Sequence, residues 1–288
     1  MDWASARGWW PHAASSRFVT SGGATWHIQQ MGDGPDLLLI HGAGGATQSW
    51  RNLMPILARH YHCTAMDLPG QGLSKQLPSR KSDLDTLAKA VAALALDLKL
   101  SPKAIVAHSA GTPIALRMAE LGTAPPIFAI NAALSKFDGV AGWLFPLAAK
   151  MLAALPFSAD VFARVGGQPA NVRRLLVNTG SAITDQGLYL YGKLAANPDH
   201  VGGTLRMMAD WTLDGLLTRL PNNPSETLFI VGDKDGTVPP DVSKRAARRM
   251  PNAQMHHFEN LGHLAHEEAA DEVARVILTH LNQKKPRH

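Results

Sequence analysis

Residues 104–111 form a short apolar run that stops abruptly at a serine. The sequence there is Ala-Ile-Val-Ala-His-Ser-Ala-Gly, and a helical pattern begins directly after it. A serine between small residues at the end of a buried strand is typical of a nucleophile on a tight strand-to-helix turn. The usual pattern is Gly-x-Ser-x-Gly, and Ala107 stands in place of the first glycine. We therefore predict that Ser109 is a nucleophile if other segments supply its partners.

The composition is that of a folded domain with a large core. Of 288 residues, 45% are hydrophobic and 18% are charged, and this charged fraction is below the usual quarter. The net charge is +5, and much of the basic charge is concentrated at residues 244–249 and 284–287. Because no basic stripe is interleaved with aromatic side chains, we do not expect nucleic-acid binding.

Neither a disulfide nor a membrane segment is expected. Cys63 is the single cysteine, which excludes an intrachain disulfide. The first residues lack the apolar core of a signal peptide. The longest apolar stretch, residues 141–155, is broken by Pro146 and Lys150 and is too short to cross a bilayer. We expect a cytoplasmic protein, and weak attraction to an anionic membrane surface stays an open alternative.

Short apolar runs alternate with helical patterns along most of the chain. Two runs around residues 21–23 predict a hairpin over 17–30, and Ser82 with Asp85 resembles a capping box. Continuous apolar strands separated by helices are typical of an α/β fold with a mostly parallel sheet covered on both faces. The other predicted strands are 37–40, 63–66, 104–108, 126–130, 227–231 and 254–258, and the predicted helices are 49–58, 84–98, 110–121, 239–249 and 269–281.

The alternation is interrupted over residues 132–220, where helical and loop patterns occur without a clear strand. We interpret this segment as an insertion between two strands of one sheet, which divides the chain into 1–131, 132–220 and 221–288. Ligands of open α/β folds bind beyond the carboxyl ends of the strands. We therefore expect the insertion to lie above that edge.

A serine hydroxyl needs a base within hydrogen-bond reach, and the base needs a carboxylate to orient it. His263 follows the predicted strand 254–258, while Asp233 and Asp235 follow the predicted strand 227–231. Because the carboxyl ends of parallel strands share one rim, these side chains are expected beside Ser109. We predict Ser109 as the nucleophile and His263 as the base, and the residues themselves leave the acid open between Asp233 and Asp235.

Acyl transfer also needs hydrogen-bond donors for the oxyanion that develops on the substrate. The backbone N–H of Ala110, at the start of a helix, is one candidate. The second is the N–H of Ala43 in the glycine-rich loop that follows strand 37–40. Here His41 and the glycines allow the backbone to approach the substrate closely.

At these positions the chain resembles the α/β-hydrolase superfamily over nearly its whole length. The resemblance implies that Asp235 is the acid of the triad and that residues 132–220 form a helical cap. The segments that carry it are 41–44, 67–74, 108–111, 232–239 and 262–263.

A closer resemblance is to the magnesium-chelatase accessory hydrolases of bacteriochlorophyll biosynthesis. It implies a role beside magnesium insertion into protoporphyrin, with a hydrophobic tetrapyrrole as a candidate substrate and magnesium chelatase as a candidate partner. It does not say which bond, if any, is cut. The segments that carry it are 16–19, 26–27, 41–44, 49–51, 178–181, 200–203, 207–211 and 261–268.

The substrate pocket is the least determined part of the site. The apolar residues of the cap have three possible roles: they form the core of the cap, line an apolar pocket or insert into a membrane interface. The tryptophans at positions 3, 9 and 10 either dock on the core or anchor the chain at such an interface. The two histidines beside the nucleophile are expected mainly to pack and hydrogen-bond. The predicted pocket residues are His41, His108, Trp143, Phe145 and Met151.

The leading hypothesis is a serine hydrolase that acts on an ester and requires neither a metal nor an organic cofactor. His263 and His266 with Glu267 are weak evidence for a metal site. A second hypothesis is a non-catalytic accessory that binds porphyrin or the chelatase. A third is a serine-dependent hydrolase of carbon–carbon bonds, which uses the same residues on a different carbonyl.

Overall fold

A computed structural model describes residues 1–122, 124–135 and 158–283. The strands in these ranges are β1 (Ser16–Ser21), β2 (Ala24–Met31), β3 (Asp36–Ile40), β4 (His62–Met66), β5 (Ala104–His108), β6 (Ile127–Ile130), β7 (Thr227–Gly232) and β8 (Ala253–Phe258). The α-helices are α1 (Trp3–Ala6), α2 (Leu53–Leu57), α3 (Leu84–Asp97), α4 (Gly111–Glu120), α5 (Ser158–Gly166), α6 (Pro169–Val177), α7 (Asp185–Ala195), α8 (Pro198–Asp210), α9 (Asp214–Arg219), α10 (Pro240–Arg249), α11 (Ala265–Glu268) and α12 (Ala270–Gln283). Short 3₁₀ turns cover Ala13–Ser15, Thr47–Trp50 and Leu220–Asn222.

The described strands form one sheet in the order β1-β2-β4-β3-β5-β6-β7-β8. The hairpin β1–β2 is antiparallel, as is the pair β2–β4, and all the other neighbours are parallel. The predicted α/β fold with a mostly parallel sheet is therefore confirmed. Its parallel strands β3, β5, β6, β7 and β8 all end at one rim.

Alternate residues of the strands pack into two separate apolar layers. Leu38 and Ile40 of β3 face α3, α4 and α10, whereas Leu37 and Leu39 face α2 and α12. This period of two in strands buried on both sides produces the continuous apolar runs of the sequence. Cys63 lies in the second layer, and burial raises the pKa of its thiol to about 12.

The start of α3 differs from the predicted capping box. Asp83, not Ser82, is the N-cap, because its backbone is extended and its carboxylate accepts from the Thr86 N–H at 3.0 Å. Ser82 N–H instead donates to Asp210 of α8 at 2.9 Å. Ser82, which the local pattern assigned to the N-cap of α3, is therefore held by a residue distant in sequence.

The described part of the chain between β6 and β7 contains helices α5 to α9 and no strand. The boundaries of the predicted cap at 132 and 220 stay a prediction. The predicted pocket residues Trp143, Phe145 and Met151 lie outside the described residues. Across the part of the chain that is described, every helix is too short or too polar to cross a lipid bilayer.

The segment before β1 docks on the core. Trp10 is 3% exposed and donates through Nε1 to Thr47 Oγ1 at 3.1 Å. Its ring also stands edge-on to His27, with 5.4 Å between the ring centroids. Trp9 packs against Tyr189 of α7. Of the two roles that the sequence left open for the tryptophans, docking is the one that the described contacts favour.

Candidate active site

Ser109 lies at the end of β5 on a backbone turn that only a packed environment sustains. Its φ is 48°, in the left-handed region that non-glycine residues rarely adopt. Gly111 makes the turn possible, since a Cβ there would lie 2.3 Å from the Ile40 carbonyl oxygen. Gly42 lies against the serine itself, and a Cβ on Gly42 would come within 2.9 Å of Ser109 Cβ. The strand-to-helix turn around Ser109 thus has the strained geometry of a nucleophile elbow.

His263 and Asp235 form a buried hydrogen-bonded pair at the same rim. His263 Nδ1 donates to Asp235 Oδ2 at 2.7 Å. Asp235 Oδ1 accepts from the backbone N–H groups of Thr237 and Val238 at 2.7 and 2.8 Å, which fix the carboxylate. Since Nδ1 carries the ring proton, Nε2 of the neutral imidazole is free to accept one.

The loop that carries His263 is hydrogen-bonded to two residues near the serine, His108 at the end of β5 and Asn131 just after β6. His108 Nε2 donates to the carbonyl of His263 at 2.9 Å, and the two imidazole rings lie 4.8 Å apart. Asn131 Nδ2 donates to the Gly262 carbonyl at 2.7 Å, while Asn131 N and Ser109 N bond to the ends of neighbouring strands. These contacts bring the loops of Ser109, His263 and Asp235 to one rim.

The serine and histidine side chains themselves are not joined in this structure. Among the described residues, Ser109 Oγ has no hydrogen-bond partner. Both residues are buried, with Ser109 8% exposed and His263 6% exposed. Catalytic hydrogen bonds are often long or misaligned in a free enzyme and tighten when substrate binds. The two side chains therefore lie on facing loops without the contact that proton transfer needs.

Asp233 has a different partner from Asp235. Its Oδ1 accepts from His257 Nδ1 at 3.0 Å, and both side chains are about one-third exposed. Of the two carboxylates that the sequence offered, the geometry places Asp235 on His263.

Two backbone N–H groups near Ser109 have no hydrogen-bond partner among the described residues. Neither Ala43 N–H nor Ala110 N–H bonds to any of the residues that the structure describes. Ala110 directly follows the serine and caps α4, while Ala43 lies in the loop after β3. Free N–H groups of this kind are what an oxyanion hole requires. Their assignment to such a hole stays a prediction.

His41 and His108 are buried and bonded to the backbone. His41 Nε2 accepts from Leu68 N–H at 2.9 Å, and its Nδ1 donates to Gly42 O at 2.7 Å. Burial lowers the pKa of His41 despite the opposing charge of Asp67, and burial lowers the pKa of His108 well below its usual value. Both rings are therefore neutral supports for their loops, and a direct role in substrate binding stays a prediction.

The segment 178–181 of the cap braces the acid and base loops, which the residue pattern did not reveal. The Thr179 carbonyl accepts from Gly236 N–H at 3.0 Å and from His263 N–H at 3.1 Å. Ser181 Oγ accepts from Leu264 N–H at 2.8 Å. One carbonyl group thus holds both loops in register. Residues 178–181 are among the segments that resemble the magnesium-chelatase accessory hydrolases, but nothing in their composition indicates this bracing role.

His266 packs between the rings of His108 and Trp50. Its ring centroid lies 4.5 Å from that of His108 and 4.7 Å from that of Trp50, and burial lowers its pKa to about 3. Within the described ranges, no group of three potential side-chain ligands lies close enough to hold a metal ion.

Comparison with known proteins identifies the fold and the family of the chain. A family model described as alpha/beta hydrolase fold matches residues 35–270. The chain is 40% identical over 271 residues to the magnesium-chelatase 30 kDa subunit of Rhodobacter capsulatus, covering 93% of this chain and 95% of that protein. It is 26% identical over 271 residues to 2-hydroxy-6-oxononadienedioate/2-hydroxy-6-oxononatrienedioate hydrolase 2 of Pseudomonas putida, covering 88% and 91%. An alpha/beta hydrolase fold protein from Burkholderia ambifaria superposes with a TM-score of 0.77 at 21% identity, covering 91% and 97%.

Proposed function

Because the chain belongs to the alpha/beta hydrolase fold family, we propose that it is a serine hydrolase that cleaves an ester of a hydrophobic substrate. The observation that carries this proposal is the His263–Asp235 hydrogen bond at the rim that also presents Ser109 on its strained turn. This combination is the minimal machinery for activating a serine hydroxyl.

In the proposed mechanism Ser109 Oγ attacks the ester carbonyl, and His263 Nε2 takes the hydroxyl proton. The electron pair of the carbonyl bond moves to its oxygen, which the N–H groups of Ala43 and Ala110 stabilise. Collapse of this intermediate expels the alcohol, which receives the proton from His263. Water, activated by the same imidazole, then releases the acid and restores the serine. Asp235 keeps the imidazole in the required tautomer throughout.

We propose that a rotation of the serine side chain completes the machinery. Ser109 Oγ has no partner among the described residues, so rotation about its Cα–Cβ bond breaks no hydrogen bond. Such a rotation takes the hydroxyl from one staggered rotamer to another. We expect the bond between Ser109 and His263 to form when a substrate occupies the site.

The similarity to the Rhodobacter capsulatus magnesium-chelatase subunit supports a link between this activity and magnesium chelatase, and we propose that the activity belongs to bacteriochlorophyll biosynthesis. We propose a tetrapyrrole of that pathway as the hydrophobic substrate. Magnesium chelatase, or the membrane surface at which such apolar molecules collect, is the proposed site of association. The basic net charge of +5 is consistent with attraction to anionic lipid.

The second candidate function is a non-catalytic accessory that binds porphyrin for the chelatase. Two observations favour this function. Ser109 Oγ has no hydrogen-bond partner among the described residues, and the 40% identical relative is named as a subunit of magnesium chelatase. The similarity to the Pseudomonas putida hydrolase keeps cleavage of a carbon–carbon bond as a variant of the catalytic proposal. Analysis of reaction products separates ester from carbon–carbon cleavage.

A fluorophosphonate probe tests the catalytic proposal. We expect the native protein to be labelled at Ser109, as read by peptide mass spectrometry, and the Ser109→Ala variant to remain unlabelled. Failure of the native protein to react, beside a control serine esterase that does, would contradict the mechanism. Complementation of a pigment-deficient deletion strain then separates the two functions, because only a binding role lets Ser109→Ala restore the pigment.

A further inference from the structure

The cap helix α8 rests directly on the loops that border the proposed oxyanion hole. Gly203 packs so closely on Gly70 that a Cβ would lie 1.9 Å from the Gly70 carbonyl oxygen. Gln71 Nε2 donates to Met207 Sδ at 3.1 Å, and Gln71 Oε1 accepts from Gly44 N–H at 2.8 Å. The glycine-rich loop after β3 therefore contacts the cap through a chain of side-chain hydrogen bonds.

His200 of the same helix bridges two of these loops through its two ring nitrogens. Its Nδ1 accepts from Gly72 N–H at 2.9 Å, so the ring proton is on Nε2. Nε2 then donates to the Gly44 carbonyl at 3.2 Å. The ring is buried, and burial lowers its pKa to about 4, which keeps the imidazole neutral near pH 7.

The bond from His200 reaches the proposed oxyanion donor through two planar peptide groups. Gly44 has a φ of 75°, a conformation that glycine adopts and leaves at low cost, so its carbonyl needs an external restraint. With that carbonyl held, the N–H of Gly45 in the same peptide donates to Gly42 O at 3.1 Å. The Gly42 carbonyl also accepts from His41 Nδ1 at 2.7 Å. The Gly42–Ala43 peptide is planar and trans, so Ala43 N–H points away from the carbonyl that these two donors restrain.

We propose that His200 is a positioning residue that acts together with His41 to fix the orientation of Ala43 N–H, so that the geometry of the oxyanion hole depends on the docking of α8 on the core. The inference rests on the proposed serine hydrolase function and adds a control point to it. A change in the seating of the cap alters the rate of acylation without touching Ser109, His263 or Asp235.

Two conservative variants dissect the two bonds of the ring. His200→Asn places its amide near the position of Nδ1 and removes the donor to Gly44 O. His200→Gln places its amide near the position of Nε2 and keeps that donor. We expect His200→Asn to lower the rate of fluorophosphonate labelling and kcat for a p-nitrophenyl ester by about 10²-fold, the effect of losing an oxyanion donor. KM should stay unchanged, and His200→Gln should react at close to the wild-type rate.

Asp210→Ala is the matched control on the same helix. Asp210 Oδ2 accepts from Ser82 N–H at 2.9 Å, and this contact ties α8 to the core at a residue outside the oxyanion loop. We expect the control variant to keep the wild-type labelling rate. Equal losses in Asp210→Ala and His200→Asn would show a general loosening of the cap and overturn the positioning role.

The outcomes separate this inference from the function on which it rests. If the wild type is labelled and folded His200→Asn reacts equally fast, the inference is wrong and the hydrolase proposal stands. A folded His200→Gln that loses most of its activity also contradicts the inference, whether or not His200→Asn folds. If the wild type is not labelled, the hydrolase proposal fails, and hydrogen exchange decides the positioning role. Faster amide hydrogen exchange over residues 42–46 in His200→Asn than in the wild type supports the positioning role. Unchanged exchange excludes that role.

Discussion

At the scale of single residues, Asp235 is the side chain whose hydrogen bonds most restrict its role. One carboxylate oxygen is held by two backbone N–H groups, and the other receives the proton-bearing nitrogen of His263. Asp233, two residues earlier, binds His257 outside this network. The pair offers an internal comparison, because the same substitution at each position tests the catalytic acid against a neighbour of identical chemistry.

We expect Asp235→Asn to lower kcat by roughly 10³–10⁴-fold, because an amide no longer holds His263 in the tautomer that accepts the serine proton. Asp233→Asn should retain nearly full activity. Hydrolysis of a p-nitrophenyl ester by the two purified variants measures both values. Loss of activity in Asp233→Asn with retention in Asp235→Asn would reverse the assignment of the acid.

The residues named from the sequence and those missed differ in what identifies them. Ser109 and His263 are found because each follows an apolar strand and carries a side chain of known chemistry, whereas Asp235 is preferred to Asp233 only through the resemblance to the α/β-hydrolase superfamily. Asn131 and His200 act through bonds to backbone groups far along the chain. No local pattern encodes such partners, because they depend on which loops the fold brings together.

At the scale of elements, the glycines of three loops make their close contact possible. Gly180 has a φ of 76°, and a Cβ there would lie 1.8 Å from the Lys234 carbonyl oxygen. Gly262 packs on Gly180, and Gly236 packs on the Asn178 carbonyl. The segment 178–181 can therefore approach the acid and base loops only with glycine at these positions.

We expect Gly180→Ala to lower the free energy of unfolding by about 1–3 kcal/mol, from backbone strain alone, and to lower kcat by displacing the Thr179 carbonyl. Gly192→Ala is the matched control, since Gly192 lies in helix α7 with open space around its Cα. In a helix that change is neutral or stabilising by about 0.5–1 kcal/mol. Urea denaturation of both variants measures the difference, and equal stabilities would show that the described contact carries no strain.

At this scale the sequence predicts the kind of each element better than its ends. The strands and helices of the core fall close to their expected positions because apolar period and length agree. The cap of α3 is wrong by one residue because Ser82 bonds to Asp210 instead of to its own helix. Tertiary contacts of this kind override local signals where an element begins.

At the scale of the whole molecule, four buried histidines make stability depend on pH. Burial lowers the pKa of His41 and His108, and lowers those of His200 and His266 to about 4 and about 3. Between the ordinary histidine pKa of about 6.5 and these values, the unfolded chain binds more protons than the folded one. The stabilisation is therefore present above about pH 6.5 and is lost as the pH falls toward 4.

We expect the free energy of unfolding to fall from pH 6.5 to pH 4.5, by up to about 1.4 kcal/mol per pH unit for each such histidine. Glu267, whose pKa burial raises, opposes this slope with at most one proton. Urea denaturation at several pH values measures the slope. His200→Gln should reduce it, and the exposed control His60→Gln should not. A flat profile for the wild type would contradict the prediction.

The mostly parallel arrangement of the sheet was predictable from the sequence, but the seating of the cap on it was not. The parallel strands and their shared rim follow from apolar runs that alternate with helical patterns, whereas the position of β4 between β2 and β3 does not. The cap is attached through scattered contacts, such as the bond from Tyr191 to Glu267 at 2.7 Å and the docking of Trp9 on Tyr189. In each of these contacts, the sequence around one residue does not indicate which residue is its partner.

The two hydrogen bonds to the Thr179 carbonyl limit how this protein can be re-engineered. A chimera that carries the insertion of another member of the fold family on this core would exchange the segment that aligns the His263 loop with the Asp235 loop. Selectivity and turnover would then change together, so a graft meant to alter only the preferred substrate must retain residues 178–181 of the recipient.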